Sequence, residues 1–165
     1  MPKVSVIMGI YNVEDTLAEA LDSIFAQTYQ DFEVILCDDG SSDNTLQIAN
    51  DYKSKYPDKV IILQNEKNMG LNYTLNKCLE KVRGMYVARM DGDDICDPHR
   101  FEKQVDFLDK NIDYAIVSTL MTLFDENGDF RTTKSVEYPE KKDFVTKTPF
   151  CHAAVMIRAD AYRKV

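Results

Sequence analysis

An acidic cluster near the middle of the chain carries the clearest chemical signal. The segment Asp91-Gly92-Asp93-Asp94, with Asp97 just beyond, places four carboxylates within seven residues. Their mutual repulsion favours a bound divalent cation over an empty site. A hard ion such as Mg²⁺ or Mn²⁺, held by one or two carboxylates, keeps other coordination positions for substrate phosphates. The cluster therefore predicts a metal site for a phosphate-bearing ligand. The alternative is a solvated loop in which Asp97 caps the next helix.

A second acidic segment, Asp38-Asp39-Gly40-Ser41-Ser42, follows a strand-like run. Asp-Gly-Ser sequences are also common in turns and at helix caps, and a helix dipole stabilises a carboxylate there without any ligand. Because both acidic segments follow predicted strands, a doubly wound sheet would bring both to its ligand-binding edge.

Other polar residues have both a functional and a structural interpretation. Asn68 and Gly70 are turn residues in the simplest interpretation, and Arg89 could pair with a neighbouring carboxylate. His152 lies in an apolar stretch, which is more typical of a core histidine than of a ligand. His99 is expected in the first turn of a helix.

Alternating strand and helix patterns must position these side chains. Runs of β-branched residues predict strands, and apolar residues at helical spacing predict helices between them. The predicted strands are Lys3–Ile10, Phe32–Cys37, Val60–Gln64 and Tyr86–Met90, and the predicted helices are Asp15–Gln27, one from near Asn44, Leu71–Val82 ending before Gly84, and one from Pro98 through Leu108. Four such repeats imply right-handed βαβ units and an α/β fold with a mostly parallel sheet.

The last third of the chain follows a different pattern. After a predicted strand at Tyr114–Ser118, two strand-like runs at Met121–Phe124 and Phe130–Tyr138 flank a polar turn and predict an antiparallel hairpin. Phe150–Ile157 is a further predicted strand, and Arg158–Val165 resembles the start of a helix. We expect residues 1–165 to form a single domain.

Bulk composition excludes several classes of protein. The formal net charge of -8 argues against nucleic-acid binding, which requires clustered Lys and Arg. No apolar run approaches the roughly 20 residues needed to cross a bilayer, and no signal peptide is evident. The four cysteines show neither zinc-site spacing nor a disulfide framework, so we expect the protein to reside in the reducing cytoplasm.

Four segments together resemble glycosyltransferase family two, whose members are inverting enzymes. They are VSVIMGIYN at the start, DDGSSDNT after the second strand, NMG before the third helix and ARMDGDD after the fourth strand. CHAAVMIRADAY also looks like a returning strand of the family. The resemblance implies the Rossmann-like GT-A fold, a nucleotide diphosphate-sugar donor with UDP-sugar favoured, Mn²⁺ or Mg²⁺, and a saccharide or lipid-linked saccharide acceptor.

The resemblance also assigns expected roles by position. Asp39 looks like the carboxylate that contacts the donor base, and Tyr11 would line the nucleoside pocket. Asp91 and Asp93 match the Asp-X-Asp motif, in which Asp93 would hold the metal and Asp91 would contact the ribose or the metal's water shell. Gly9 departs from the family, where proline is common. The donor-binding residues implied are Ile10, Tyr11, Asn12, Asp39, Asn68, Gly70, Arg89, Asp91 and Gly92, the metal ligands are Asp93 and Asp91, and Asp94 is a second-line candidate.

Family members continue with a glycine-rich turn and an acidic general base, and we expect that base beyond Val165. An inverting transfer needs such a base to take the proton of the acceptor hydroxyl. The sequence is thus expected to be a C-terminally truncated, N-terminal nucleotide-sugar-binding portion, weakly active or inactive alone. We expect the full enzyme to build surface polysaccharide in the cytoplasm, with peripheral association at the inner membrane face.

Three alternatives remain at this stage. A nucleotidyltransferase also uses a parallel sheet, aspartates and Mg²⁺, but it needs a basic, Gly-rich loop after the first strand, where this chain has the acidic GIYNVED. A receiver domain of the flavodoxin type would end after five βα units without the hairpin. A nucleotide-sugar-binding module without catalysis would share every motif described above.

Overall fold

The strand and helix patterns produce one six-stranded sheet and a separate two-stranded hairpin. The computed structural model describes residues 1–125, 127–145 and 148–162. Its strands are β1 Val4–Ile10, β2 Phe32–Asp38, β3 Val60–Gln64, β4 Tyr86–Arg89, β5 Ile116–Ser118, β6 Thr122–Asp125, β7 Gly128–Thr132 and β8 Val155–Arg158. Its helices are α1 Leu17–Phe25, α2 Thr45–Lys55, α3 Leu71–Leu79, α4 Arg100–Lys110 and α5 Ala159–Tyr162, with 3-10 turns at Lys141–Phe144 and His152–Ala154.

The strand order in the large sheet is β3-β2-β1-β4-β8-β5. β1 pairs in parallel with β2 on one side and with β4 on the other. Strands β2 and β3 therefore extend the sheet to one side of β1, and β4 begins its extension to the other side. Ligands of open α/β sheets bind outside the carboxyl ends of the strands at such a switch point. The topology therefore confirms the predicted GT-A-like, mostly parallel sheet and locates its crevice between β1 and β4.

Helices cover both faces of the sheet, which explains why the central strands are apolar along their whole length. On one face α1, α2 and α4 bury a large cluster that includes Leu21, Ala49 and Phe101. On the other face α3 and α5 cover a smaller cluster that includes Ile35 and Cys78. Strands enclosed on both faces need near-continuous hydrophobic runs, as β1 and β2 have.

The region after β5 differs from the prediction in its boundaries. The hairpin exists, but its second strand ends at Thr132 rather than at Tyr138. The residues that follow bond elsewhere, because the backbone N–H of Val136 and the hydroxyl of Ser135 both donate to the carbonyl of Pro149. They therefore cannot extend the pairing with β6.

The returning strand is also shorter than predicted. β8 begins at Val155, after the 3-10 turn, and it pairs antiparallel with both β4 and β5. The predicted terminal helix is present as Ala159–Tyr162, and the remainder of that prediction lies outside the described residues.

A buried polar corner holds the amino-terminal ends of β1, β2 and β4 together. The Ser5 hydroxyl donates to Glu33 Oε1 at 2.6 Å, and the Arg83 guanidinium pairs with the other carboxylate oxygen through Nε at 2.7 Å. The backbone N–H of Gly84 donates to Ser5 Oγ at 2.9 Å. The prediction that Gly84 ends α3 is wrong, because α3 already ends at Leu79. Gly84 instead lies against β1, where a side chain would not fit.

Gly84→Ala should destabilise the fold through this contact. An added Cβ would lie 2.7 Å from the backbone nitrogen of Ser5, so strand β1 or β4 would have to shift. We expect a loss of about 1–3 kcal/mol in the free energy of unfolding, measured by urea denaturation. Lys81→Ala is the control, because Lys81 is exposed in the same segment and its side chain has no hydrogen bond or ion pair among the described residues. A urea midpoint of Gly84→Ala equal to that of wild type would show that the close approach of Gly84 to Ser5 does not limit the residue at this position.

Candidate functional site

The loops after β1 and β2 are bonded to each other at the carboxyl edge of the sheet. Asn12, with a left-handed φ of 49°, donates its backbone N–H to Ser41 Oγ at 3.1 Å. Its side-chain oxygen accepts the backbone N–H of Ser42 at 2.9 Å. Ile10 is buried, and its carbonyl accepts the backbone N–H of Asp39 at 2.9 Å. Tyr11 projects from this edge with its side chain exposed.

Asp39 fixes the turn that precedes α3. Its buried carboxylate accepts the side-chain amide of Asn65 at 2.7 Å, the backbone N–H of Met69 at 2.8 Å and that of Gly70 at 2.9 Å. Burial raises the pKa of Asp39, but these hydrogen bonds, with a further one from Thr74, outweigh burial and hold the pKa below its ordinary value. Asp39 is therefore an ionised carboxylate locked in one orientation.

The turn itself brings Asn68 and Gly70 to the same edge. The Asn68 side-chain oxygen accepts the backbone N–H of Gly70 at 3.1 Å, and Gly70 adopts a φ of 88°. Gly40 is required opposite this turn, because an added Cβ there would lie 2.8 Å from the backbone of Lys67. The structure thus brings Asp39, Asn68 and Gly70 together at the carboxyl edge of the sheet.

The acidic cluster follows β4 on the other side of β1. Asp91 is half-buried and accepts a hydrogen bond from Arg89 at 2.6 Å. Asp93 is exposed, and within the described part of the chain its carboxylate has no hydrogen bond or ion pair. Gly92 is buried between them, and its carbonyl accepts the hydroxyl of Thr16 at 3.0 Å. This last bond ties the cluster to the start of α1.

Uncompensated negative charge remains in this cluster. Burial raises the pKa of Asp91, with Arg89 lowering and Asp93 raising it. Burial also raises the pKa of Asp94, and the neighbouring carboxylates Asp91 and Asp93 raise it further. Both shifts show that the ionised cluster is electrostatically costly, a condition that a bound cation would relieve.

Two buried arginines lie beneath the carboxylates. Arg89 bonds to Asp91 through one terminal nitrogen and to Nδ1 of His152 through the other. Its Nε is buried without a hydrogen-bond partner among the described residues. Arg100 donates to the backbone carbonyl of Arg89 at 2.8 Å and to that of Val155 at 3.3 Å. These guanidiniums connect the ends of β4, α4 and β8.

His152 contradicts its sequence interpretation. It is exposed rather than buried in the core, and it stands in the 3-10 turn that precedes β8. The flanking apolar residues that favoured a core histidine are those of β8 and Ala153, which are buried while His152 points out. Only the antiparallel pairing of β8 with β4 places His152 near the acidic cluster, and no local sequence signal indicates that pairing.

The side chains suit a metal held partly by its substrate. Among residues 1–125, 127–145 and 148–162, no three His, Cys, Asp or Glu side chains converge as a cage. Mg²⁺ is commonly held by one or two carboxylates together with substrate phosphates, and Asp93 and Asp91 provide that smaller donor set.

A cavity opens beside the acidic cluster. Its volume is about 560 Å³, and it lies between the start of α4, the turn before β8 and the hairpin. Its lining includes Asp94, Arg100, Thr119, Phe124 and Ala153. The cluster thus has open space on the side away from the loop after β1.

Comparison with known proteins agrees with this geometry. A family model described as glycosyl transferase family 2 matches residues 5–165. The chain belongs to this family. Within glycosyl transferase family 2, the chain is 50% identical over 162 residues to the putative glycosyltransferase EpsE of Bacillus subtilis, covering 98% of the chain and 58% of EpsE. It is 34% identical to the amylovoran biosynthesis glycosyltransferase AmsE of Erwinia amylovora, covering 94% of the chain and 60% of AmsE.

Two solved structures have the same fold. S. aureus TarS superposes with a TM-score of 0.74 at 25% identity, over 98% of this chain and 29% of TarS. TarS 1–349 has been crystallised with UDP and with UDP-GlcNAc. The mannosyltransferase PcManGT of Pyrobaculum calidifontis, crystallised with GDP-Man and Mn²⁺, gives a TM-score of 0.74 at 20% identity over 99% of this chain and 46% of PcManGT.

Two sequence predictions remain to be compared with the structure: a general base beyond Val165 and the lack of a membrane-spanning segment. The chain spans 58% of the length of EpsE, and the predicted general base lies outside the described residues. Among the helices described, none is long and apolar enough to span a membrane.

Asp39→Ala should loosen the turn before α3 and lower stability. The change removes three hydrogen bonds and leaves the part-buried N–H of Met69 without an acceptor, while Asn65 and Gly70 keep bonds to Thr74 and Asn68. We expect a cost of about 1–3 kcal/mol in the free energy of unfolding. Because the folded-state pKa of Asp39 is lowered, its stabilising effect is complete at neutral pH and is lost as pH falls through that pKa. The difference between the variant and wild type should therefore narrow in acid, as measured by urea denaturation across pH.

Asp58→Ala is the matched control for this prediction, because Asp58 is exposed and has no hydrogen bond or ion pair among the described residues. Its unfolding midpoint should equal that of wild type at each pH. An Asp39→Ala midpoint that is also unchanged at neutral pH would show that the carboxylate does not hold the turn.

Proposed function

We propose that this chain carries the donor site of a metal-dependent inverting glycosyltransferase that takes a sugar from a nucleotide diphosphate-sugar. One observation supports this proposal above the others. The loop at Tyr11 and the acidic cluster at Asp91 flank the switch point between β1 and β4, where α/β sheets bind nucleotides. We further propose that residues 1–165 act as one GT-A unit.

The nucleoside would occupy the side of the edge formed by β1 and β2. Tyr11 offers an exposed aromatic ring there, and Asn12 keeps its loop bonded to the loop after β2. Asp39 faces the base in this arrangement, while it also holds the turn that carries Asn68 and Gly70. The ionised state of Asp39 suits acceptance of a base N–H.

The diphosphate would lie over the acidic cluster. Asp93 would hold Mn²⁺ or Mg²⁺, with Asp91 as a second ligand or a contact to the ribose. The bound ion would neutralise charge on the departing diphosphate. Asp93 is exposed and has no partner in the described chain, while Arg89 fixes the orientation of Asp91. Arg89 would thus keep one carboxylate in place, leaving Asp93 free to bind the ion.

The choice of donor and pathway rests on the relatives. TarS has been crystallised with UDP and UDP-GlcNAc, and it is more similar in sequence to this chain than PcManGT is. We therefore favour a UDP-sugar. The name of AmsE refers to amylovoran biosynthesis, which supports a role in surface polysaccharide synthesis. A saccharide or lipid-linked saccharide acceptor, a cytoplasmic location and contact of the whole protein with the inner membrane face remain predictions.

Titration calorimetry with UDP and GDP, with and without Mn²⁺, tests the donor site. We expect one nucleotide to bind in a metal-dependent manner, and Asp93→Ala to weaken that binding at least tenfold. A loss of at least tenfold is expected because replacing even a residue that only supports a metal ligand typically lowers metal affinity by about 10–100-fold.

Asp97→Ala is the matched control, because it removes an exposed carboxylate of the same segment whose contacts are to the start of α4. It should bind nucleotide with wild-type affinity. If neither nucleotide binds in the presence of Mn²⁺, the acidic cluster is a solvated loop and the proposed donor site is wrong.

A further inference from the structure

A second cavity adjoins the one beside the acidic cluster. Its volume is about 610 Å³, and it lies between α4, the edge strand β5 and the segments that flank the 3-10 turn Lys141–Phe144. Thr119 and Leu120 line both cavities, so the two meet at these residues. Because the side chain of Leu120 is exposed, a ligand that lies over it can occupy both cavities at once.

Aromatic rings form much of the wall of the second cavity. The ring of Tyr114 lies 5.5 Å from that of Phe107 and 6.2 Å from that of Tyr138, measured between centroids. Phe144 and Phe150 form another pair at 6.0 Å. All five rings line the cavity, and those of Tyr114, Tyr138 and Phe144 are exposed. These rings therefore offer surface to a ligand rather than to the core.

The charge of the lining restricts the kind of ligand. Among the described residues that line the second cavity, none is Lys, Arg or His, and the one charged side chain is that of Glu137. Glu137 is exposed, and it has no hydrogen bond or ion pair within the described chain. A carboxylate without a nearby cation disfavours a phosphate, and a lipid chain would remove that carboxylate from water without replacing its hydrogen bonds.

A neutral saccharide satisfies both features of the lining. Its hydroxyl groups donate hydrogen bonds, which the carboxylate of Glu137 accepts. The C–H groups on the face of a sugar ring carry a small positive charge, and the face of an aromatic ring is negative, so the two attract each other when they stack. The combination of exposed aromatic rings with an unpaired carboxylate therefore favours a sugar.

The first cavity lies where an acceptor would have to enter. In the proposed donor site the nucleoside occupies the side formed by β1 and β2, and the diphosphate lies over the acidic cluster. An inverting transfer requires the acceptor to attack the face of the donor sugar opposite the leaving group. The first cavity opens beside Asp94 and Ala153, on the side of the cluster away from the loop after β1. The reacting end of an acceptor therefore belongs there.

We propose that the two adjoining cavities form one acceptor groove, which binds a neutral saccharide chain of two or more sugar residues. The reacting end lies in the first cavity, and the chain passes over Leu120 and stacks on the rings of the second. The inference rests on the proposed function and adds to it the class of acceptor. It assigns a binding role to Tyr114, Tyr138 and Glu137.

Backbone amide NMR on the wild-type protein tests the acceptor groove without nucleotide or metal. The probes are cellotriose, maltotriose and tri-N-acetylchitotriose, each beside the monosaccharide from which it is built, with farnesol as the lipid probe. We expect at least one trisaccharide to shift the amides of Ser118, Leu120 and Val136 together. Its affinity should exceed that of its monosaccharide by about tenfold or more, because only the longer chain reaches the aromatic rings.

Tyr138→Leu separates stacking from simple apolar contact, because leucine keeps an apolar side chain but removes the ring. We expect the affinity for the trisaccharide to fall about three- to tenfold. Tyr138→Phe keeps the ring and should retain most of the affinity. Phe130→Leu is the matched control, since Phe130 is an exposed aromatic residue of the hairpin that lines neither cavity. It should bind as wild type does.

Three results would overturn the inference. They are no shift at these amides with any trisaccharide, equal affinity for a trisaccharide and its monosaccharide, and binding of farnesol in place of the sugars. None of them affects the donor site, because no nucleotide is present. Conversely, a protein that binds a trisaccharide in the groove but neither UDP nor GDP with Mn²⁺ would overturn the proposed donor site and leave the saccharide groove.

Discussion

The parallel pairing of β1 with two neighbours is the constraint on which the site depends. Because β2 and β4 run in the same direction on either side of β1, the segments that follow all three strands emerge at one edge. Residues from separate parts of the chain, such as Tyr11, Asp39 and Asp91, therefore face the same crevice. The buried corner around Glu33 and Gly84 fixes the opposite ends of these strands, so the separation of the loops is set by rigid elements.

Electrostatic balance determines how the acidic cluster can exist on this edge. Burial and mutual repulsion make the ionised cluster unfavourable, and the buried guanidiniums of Arg89 and Arg100 offset part of that cost. Each guanidinium also bonds to a neighbouring element, so the charges that compensate the cluster also connect β4, α4 and β8. The exposed carboxylate of Asp93 retains its charge without a partner in the described chain. An acidic protein can bind an anionic nucleotide in this way if a cation lies between them.

Local patterns in the sequence were enough to predict the βα repeats, because buried strands and amphipathic helices have distinct periodicities. The acidic segments could be located for the same reason, since each directly follows a strongly apolar strand. The boundaries of β7 and β8 depend on contacts between distant residues, such as those of Ser135 with Pro149, and no local pattern contains them. The position of His152 has the same origin. Its surroundings in sequence are apolar, but the pairing of β8 with β4 turns it outward beside Arg89.

We propose that the segments at the carboxyl ends of β1, β2 and β4 form one donor site. Backbone amide NMR shifts on addition of a nucleoside diphosphate and Mg²⁺ to the wild-type protein would test this arrangement. We expect shifts at Asn12, at Gly70 and at Gly92 together, with none at Gly84 on the opposite edge of the sheet. Shifts confined to one of these loops, or centred on the Gly84 edge, would contradict it.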